Sequence, residues 1–212
     1  MKNIFGNLGN NKRRPDALTV ATIQYYYKPV MAFFSSLSLR AYETAGLSNS
    51  SIMLGLGCND EVYGMMLKEF FSFAGDIVGL DLNGEALSKA KSYNTGAYSI
   101  FINASATAMP FADETFSTVY ANGVIPDIPD VFSALAEARR VIRPGGQFFC
   151  TVRTEKFRQG YVLARILTKI GFSWGGEYYK ERMDKRCTAI HVSITYDDWV
   201  SFFDQAGFKI ER

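Results

Sequence analysis

Between residues 51 and 153 the apolar positions fall into short continuous runs, separated by stretches of helical period. Ser51–Leu56 predicts a short buried strand, and Asp60–Phe73 a helix with Asp60 and Glu61 suited to its first turn. Asp76–Asp81 predicts a second strand, Gly84–Tyr93 a second helix and Ala97–Asn103 a third strand. A loop over Ala104–Thr115 leads into a fourth strand, Phe116–Asn122. Asp130–Ile142 reads as a helix stopped by Arg143-Pro144-Gly145-Gly146, and Gln147–Arg153 as a fifth strand. Such alternation implies an α/β fold, doubly wound, with a mainly parallel sheet covered on both faces and joined by right-handed crossovers.

The flanks follow a different rhythm. Residues 1–16 are polar and basic, and Ala17–Gly46 reads as one or two amphipathic helices carrying the cluster Tyr25, Tyr26 and Tyr27. Residues 1–46 are therefore expected to form an N-terminal helical cap on a domain spanning 47–212. After Arg153, Phe157–Ile170 looks helical, and Gly171–Arg186 looks irregular, rich in Gly, Tyr and charge. Thr188–Ile194 alternates like a strand, Tyr196–Ala206 reads as a helix, and Gly207–Arg212 opens another strand. Residues 154–190 are thus expected to form an insertion over the substrate end of the domain.

Composition narrows the function classes. The 212 residues, 48% apolar, suffice for one domain with a small cap. A net charge of +2 gives no bulk argument for nucleic acid or an anionic membrane. Cys58, Cys150 and Cys187 are scattered, with neither a disulfide framework nor a metal-ligand spacing, so a reducing, cytoplasmic setting and no metal are expected. No run reaches the length of a membrane span. An aromatic content of 15% is consistent with an apolar substrate pocket and equally with extra core aromatics.

The chemistry concentrates at Leu54-Gly55-Leu56-Gly57-Cys58-Asn59-Asp60, with Gly79-Leu80-Asp81-Leu82 further on. An apolar run, a glycine turn, a helical segment and a strand ending on an acid make a βαβ unit for an adenosine-containing cofactor. Glycine lets backbone approach the ligand, and Asp81 stands where a carboxylate can accept from both ribose hydroxyls. A dinucleotide would place its pyrophosphate on the helix N-terminus, where Asp60 and Glu61 repel it. S-adenosylmethionine carries no phosphate but an ammonium and a sulfonium, so the acids favour it.

The chain resembles the class I S-adenosylmethionine-dependent methyltransferases of the small-molecule kind, whose Rossmann-like fold the alternation above would give. The resemblance is carried by Leu54–Asp60, Gly79–Leu82, Ala106-Thr107-Ala108-Met109-Pro110-Phe111, Asp113-Glu114-Thr115-Phe116, Asn122-Gly123-Val124 and Arg140–Gly146, in that order. It implies that Gly55, Gly57 and Cys58 line the methionine part of S-adenosyl-L-methionine, that Asp81 holds the ribose and that Leu82 packs on the adenine. Ser105 and Ala106 would lie at the adenine edge, with Asn122 and Gly123 closing the pocket from strand four. The implied activity is methyl transfer to a small, apolar or aromatic acceptor. Base-methylating relatives carry Asn/Asp-Pro-Pro-Tyr where this chain has Asn122-Gly123-Val124-Ile125, so no nucleic-acid partner is expected.

Four departures matter. The family usually has an acid at Gly55, glycine at Asn59 and Glu61, Asp at Ser105, and commonly Asp at Ser117. Losing the acids at Gly55 and Ser105 removes charge-assisted bonds of about 1.5–3 kcal/mol each. The alternative function is accordingly a catalytically silent binding or scaffold module. His191, the sole histidine, is the candidate base for a hydroxyl acceptor, against an ordinary surface or structural role. Tyr25–Tyr27 suggest a lid, and Tyr178 and Tyr179 an acceptor wall, each with plain packing as the alternative. Asp130 reads as a helix cap. The family closes its sheet with a final hairpin. Here the vacant edge is expected to be filled by Thr188–Ile194, by a second copy in a homodimer, or by an additional C-terminal segment.

Overall fold

The structure, a computed structural model, describes residues 52–59, 64–65, 67–68, 73–93, 96–155, 162–186 and 194–210. The expected N-terminal cap with Tyr25–Tyr27, the acids Asp60 and Glu61, and His191 lie outside the described residues. Five strands, β1 (Met53–Leu56), β2 (Ile77–Asp81), β3 (Ile100–Asn103), β4 (Phe116–Asn122) and β5 (Ile142–Thr151), form one sheet of order β3-β2-β1-β4-β5. Every pairing is parallel. The helices are α1 (Gly84–Tyr93), α2 (Val131–Val141), α3 (Val162–Lys169), α4 (Ser173–Arg186) and α5 (Tyr196–Gln205), with a 3₁₀ turn at Ile125–Asp127. Residues 64, 65, 67 and 68, between β1 and β2, are also helical.

Side chains alternate across the central strands, which sorts the core into two layers. Met53, Ile77 and Tyr120 join Leu67, Phe73, Leu87 and Tyr98 on one face. Leu54, Leu56, Leu80 and Val119 face the other way, against Leu135 of α2 and Trp199 and Phe203 of α5. Asp130 caps α2, as expected, by accepting from the Ser133 N–H at 3.0 Å. Thr195 and Asp198 form a reciprocal capping box at the start of α5. Trp199 Nε1 donates to the Arg153 carbonyl at 2.9 Å, fastening α5 to the end of β5.

Three expectations need correction. Gly171–Arg186 is not irregular: Ser173–Arg186 is helical. Gly175 and Gly176 are buried, Gly175 beneath the Phe172 ring, so their packing offsets the entropy glycine loses in a helix. The remaining residues, Glu177–Arg186, are mostly good helix formers. Secondly, residues 208–210 form no strand. Gly207, at φ 79°, donates to the Asp204 carbonyl, and Phe208 N–H donates back to Phe203 at 2.9 Å, ending α5 in a left-handed cap. The Phe208 ring then turns onto Phe148 and Phe203. Finally, β5 begins before Gln147: Ile142 pairs with Phe116 and Gln147 with Thr118, so Arg143–Gly146 loops out inside the ladder. Of the strand expected at Thr188–Ile194, residues 188–193 lie outside the described residues.

Candidate functional site at the switch point of the sheet

β1 and β4 are neighbours, but the chain leaves them toward opposite edges of the sheet. Their carboxyl ends therefore border a crevice, where doubly wound folds bind ligands. β1 runs into Gly57, whose φ of 67° is open to glycine and costly for a side chain. The turn is pinned to β2 by Gly57 N–H on the Leu80 carbonyl at 2.8 Å and by Cys58 N–H on the same oxygen at 3.2 Å. Asn59, where the family has glycine, also adopts a left-handed φ of 44°, a region asparagine tolerates better than most residues.

That bend aims the Asn59 N–H at Asp81 Oδ2, 2.9 Å away. The Asn83 N–H donates to Asp81 Oδ1 at 2.8 Å. Both carboxylate oxygens are thus held by backbone, and each retains a further lone pair for a ligand hydroxyl. Asn103 Nδ2 donates to the carbonyls of Asp81 and Leu82 at 2.9 Å each, fixing the segment behind the carboxylate. Leu82, the next residue, is 74% exposed, an apolar side chain largely open beside a hydrogen-bonding acid.

Gly55 sits one layer deeper. Its register partners are Gly79 on β2 and Tyr120 on β4. A Cβ at Gly55 would stand 2.8 Å from the Tyr120 hydroxyl and 2.9 Å from its ring carbon Cζ. Tyr120 therefore fills the space that the family's acidic side chain would need. The Tyr120 and Tyr98 hydroxyls hydrogen-bond to each other, and both rings are buried. Gly79 makes room for Phe101, Tyr98 and Cys58 in the same way, its would-be Cβ lying 2.8 Å from Cys58 Sγ. Cys58 thus turns its side chain into the core and gives the turn only backbone.

The rim comes from the ends of β3, β4 and β5. The Ser105 hydroxyl pairs with Thr107 Oγ1 at 2.8 Å, while Ala106 packs against the second core layer. Asn122 Oδ1 accepts from the Thr151 hydroxyl at 2.7 Å, and Gly123 at φ 69° donates to the Thr151 carbonyl. Val124 lies over Gly57 from the opposite lip. Met109-Pro110-Phe111 is clamped by Arg140, which donates to the Met109 and Phe111 carbonyls, to Asp113 and to Glu137. Past β4 and β5, Arg153 pairs with Asp127. Burial raises the Asp127 carboxyl above its ordinary value, and Arg153 opposes that rise. Arg153 Nε and Glu155 Oε2 are buried with no hydrogen-bond partner among the described residues.

Among the described residues no group of His, Cys, Asp and Glu is arranged to hold a metal. Burial pushes the Cys150 thiol up to about 12, which favours the thiol over the thiolate. The structure brings Gly55, Gly57, Cys58, Asp81 and Leu82 together around the turn after β1 and the end of β2, and sets Asn122 and Gly123 on the facing lip. Sequence reasoning missed Tyr98, Tyr120, Asn59 N–H, Val124 and the Asp127–Arg153 pair. A missing acid at Gly55 was the available signal for Tyr120: glycine within a strand invites a large neighbour.

Residues 54–150 match the family described as Methyltransferase domain. A demethylmenaquinone methyltransferase of Bacillus velezensis is 33% identical over 117 residues, covering 52% of this chain and 50% of that protein. The ubiquinone/menaquinone biosynthesis C-methyltransferase UbiE of Rickettsia rickettsii is 30% identical over 140 residues, 61% of this chain and 55% of its own length. The chain thus aligns with about half the length of these curated relatives. Among solved structures, the [4+2]-cyclase SpnF superposes with a TM-score of 0.64 at 16% identity, over 87% of this chain and 59% of that one. That likeness speaks for the fold alone, and a cyclase on it shows that fold does not dictate reaction.

Proposed function

We propose that the chain is a class I S-adenosylmethionine-dependent methyltransferase that transfers a methyl group to a small, apolar, aromatic acceptor of the quinol or phenol kind, a reading supported by the match of residues 54–150 to the methyltransferase-domain family and by the two curated relatives. The observation that carries this reading is the Asp81 carboxylate, braced by two backbone N–H groups beside a glycine turn at the switch point. A carboxylate so held is ordered before any ligand arrives, which lowers the entropic cost of gripping a ribose. Exposed Leu82 offers the apolar surface an adenine requires. Gly57 and Cys58 would border the methionine portion through backbone, and Ser105, Ala106, Asn122 and Gly123 would close the rim. When bound, the cofactor supplies an electrophilic methyl on a sulfonium. The chain's own share is to orient the acceptor and exclude water.

The acceptor end is assigned to the ground past β4 and β5. Arg153 Nε is a buried donor and Glu155 Oε2 a buried acceptor, both without partners among the described residues. Leaving such atoms unsatisfied is costly, and an acceptor that reached either of them, with a carbonyl for Arg153 Nε or a hydroxyl for Glu155 Oε2, would offset that cost. The names of the two curated relatives, which concern quinones, support the same acceptor class. A role for His191 as base belongs to this proposal and awaits its own substitution.

One observation favours a second reading. Tyr120 occupies the space of the family's acid over Gly55, which fits a silent module whose cofactor site has been repacked. Titration calorimetry with S-adenosylhomocysteine separates the two. The enzyme reading expects micromolar binding, followed by transfer of labelled methyl into organic-extractable product from reduced naphthoquinones. Absence of heat with both S-adenosylhomocysteine and S-adenosylmethionine would favour the silent module.

A further inference from the structure

The α3–α4 hairpin carries an apolar tip that the cofactor site does not explain. Ile166 on α3 and Ile170, four residues on in the turn that follows it, are 49% and 71% exposed. At the turn, Gly171 takes φ 84°, and the Phe172 ring lies across Gly175, 4.4 Å from the Trp174 ring. Phe172 therefore builds the tip, and Trp174 is left 69% exposed at its end. Tyr178, one turn along α4, is 56% exposed. Five large apolar side chains clustered on one hairpin exceed the scattered single exposures normal on a surface.

Charge says what covers this tip. Eight of the chain's 23 Lys and Arg fall within residues 154–190, against four of its 21 Asp and Glu. This segment, which contains the hairpin, is thus net positive, while the rest of the chain is net negative. Bulk charge hides this asymmetry, because the whole chain carries only +2. Arg165 and Lys169 are exposed on α3 itself, beside the isoleucine stripe. Exposed tryptophan, aliphatic side chains and flanking cations on a hairpin whose first helix is amphipathic are features by which helices lie in the headgroup layer of an anionic bilayer. No helix among the described residues is long and apolar enough to cross a membrane.

We infer that the tip formed by Ile170, Phe172 and Trp174 inserts into the interface of an anionic lipid bilayer, with Arg165 and Lys169 against the headgroups. This inference stands apart from methyl transfer, since it uses no residue of the cofactor site. The chain reports on it directly. It has two tryptophans, and Trp199 is 2% exposed with its Nε1 already bonded. A change in emission on adding lipid therefore belongs to Trp174.

The test mixes the full chain with phosphatidylglycerol-rich vesicles and, separately, with pure phosphatidylcholine vesicles. Expected are a blue shift and quenching by acyl-brominated lipid with the anionic vesicles, both lost in Trp174→Phe. Ile170→Ser with Trp174→Ser should weaken cosedimentation more than about tenfold, from the apolar area lost. Arg165→Glu with Lys169→Glu should weaken it roughly fivefold or more per cation. All four positions are exposed, so these variants fold and their calorimetric binding of S-adenosylhomocysteine stays that of the parent. Three results would overturn the inference: no lipid-dependent shift, a shift that follows protein concentration without lipid (a second copy covers the tip), or Trp174 already blue and shielded without vesicles (the chain's own segment covers it).

Discussion

Replacing Asp81 by asparagine keeps the shape of the side chain and removes its charge and one acceptor. In the parent, Oδ2 accepts from Asn59 N–H at 2.9 Å and Oδ1 from Asn83 N–H at 2.8 Å. The amide has a single oxygen, so one of those N–H groups must face an NH₂ donor. The site is half-exposed and water can stand in, so folding should lose no more than about 1.5 kcal/mol. The cofactor loses more. A hydrogen bond from a ribose hydroxyl to a charged acceptor contributes about 1.5–3 kcal/mol against about 0.5–1.5 for a neutral one, so with two such bonds weakened by about 1–1.5 kcal/mol each, affinity for S-adenosylhomocysteine should fall roughly 30- to 150-fold. The assay is titration calorimetry on parent and Asp81→Asn, with thermal denaturation to show that both are folded. An affinity within about twofold of the parent, in a folded variant, would refute the assignment of Asp81 to the ribose.

Other outcomes follow from the same geometry. Gly57→Ala places a Cβ 2.8 Å from Val124 Cβ at φ 67° and should cost about 2–4 kcal/mol in urea denaturation; adding Val124→Ala, which removes the Cγ atoms but keeps that Cβ, should return only part of the steric loss and none of the backbone strain. Gly55→Asp, which restores the family's acid, should destabilise by about 1–3 kcal/mol because its Cβ meets Tyr120, and the double variant with Tyr120→Leu should regain most of that loss. Arg140 holds the Glu137 carboxyl below its ordinary value, so the folded state binds that proton less readily than the unfolded chain. Stability from this pair is full above the ordinary value of 4.5 and is lost as pH falls through the folded value; Arg140→Gln should flatten that acid limb of a Tm-against-pH curve.

Much of the fold was legible because its determinants are local. Gly84–Tyr93 and Phe116–Asn122 coincide with the observed helix and strand, since each carries its own period between turn residues. Gly171–Arg186 misled because two glycines near a helix start look like a loop, and only the Phe172 ring packed on Gly175 makes them helical. Gly207–Arg212 misled because Phe208 is apolar enough for a strand, yet its ring finds Phe148 and Phe203 instead.

At the site, the sequence alone determined where backbone bends and where an acid ends a strand, because glycine content and strand length are properties of one short segment. Parallel register then decided the rest. It set Tyr120 of β4 opposite Gly55 of β1, joined its hydroxyl to Tyr98, and brought the Asn59 N–H, in the turn after β1, to Asp81 at the end of β2. Those partners are distant along the chain, and no local pattern encodes which residue of one strand lies beside which of another. Side-chain alternation chooses the face, but only the packed sheet chooses the neighbour.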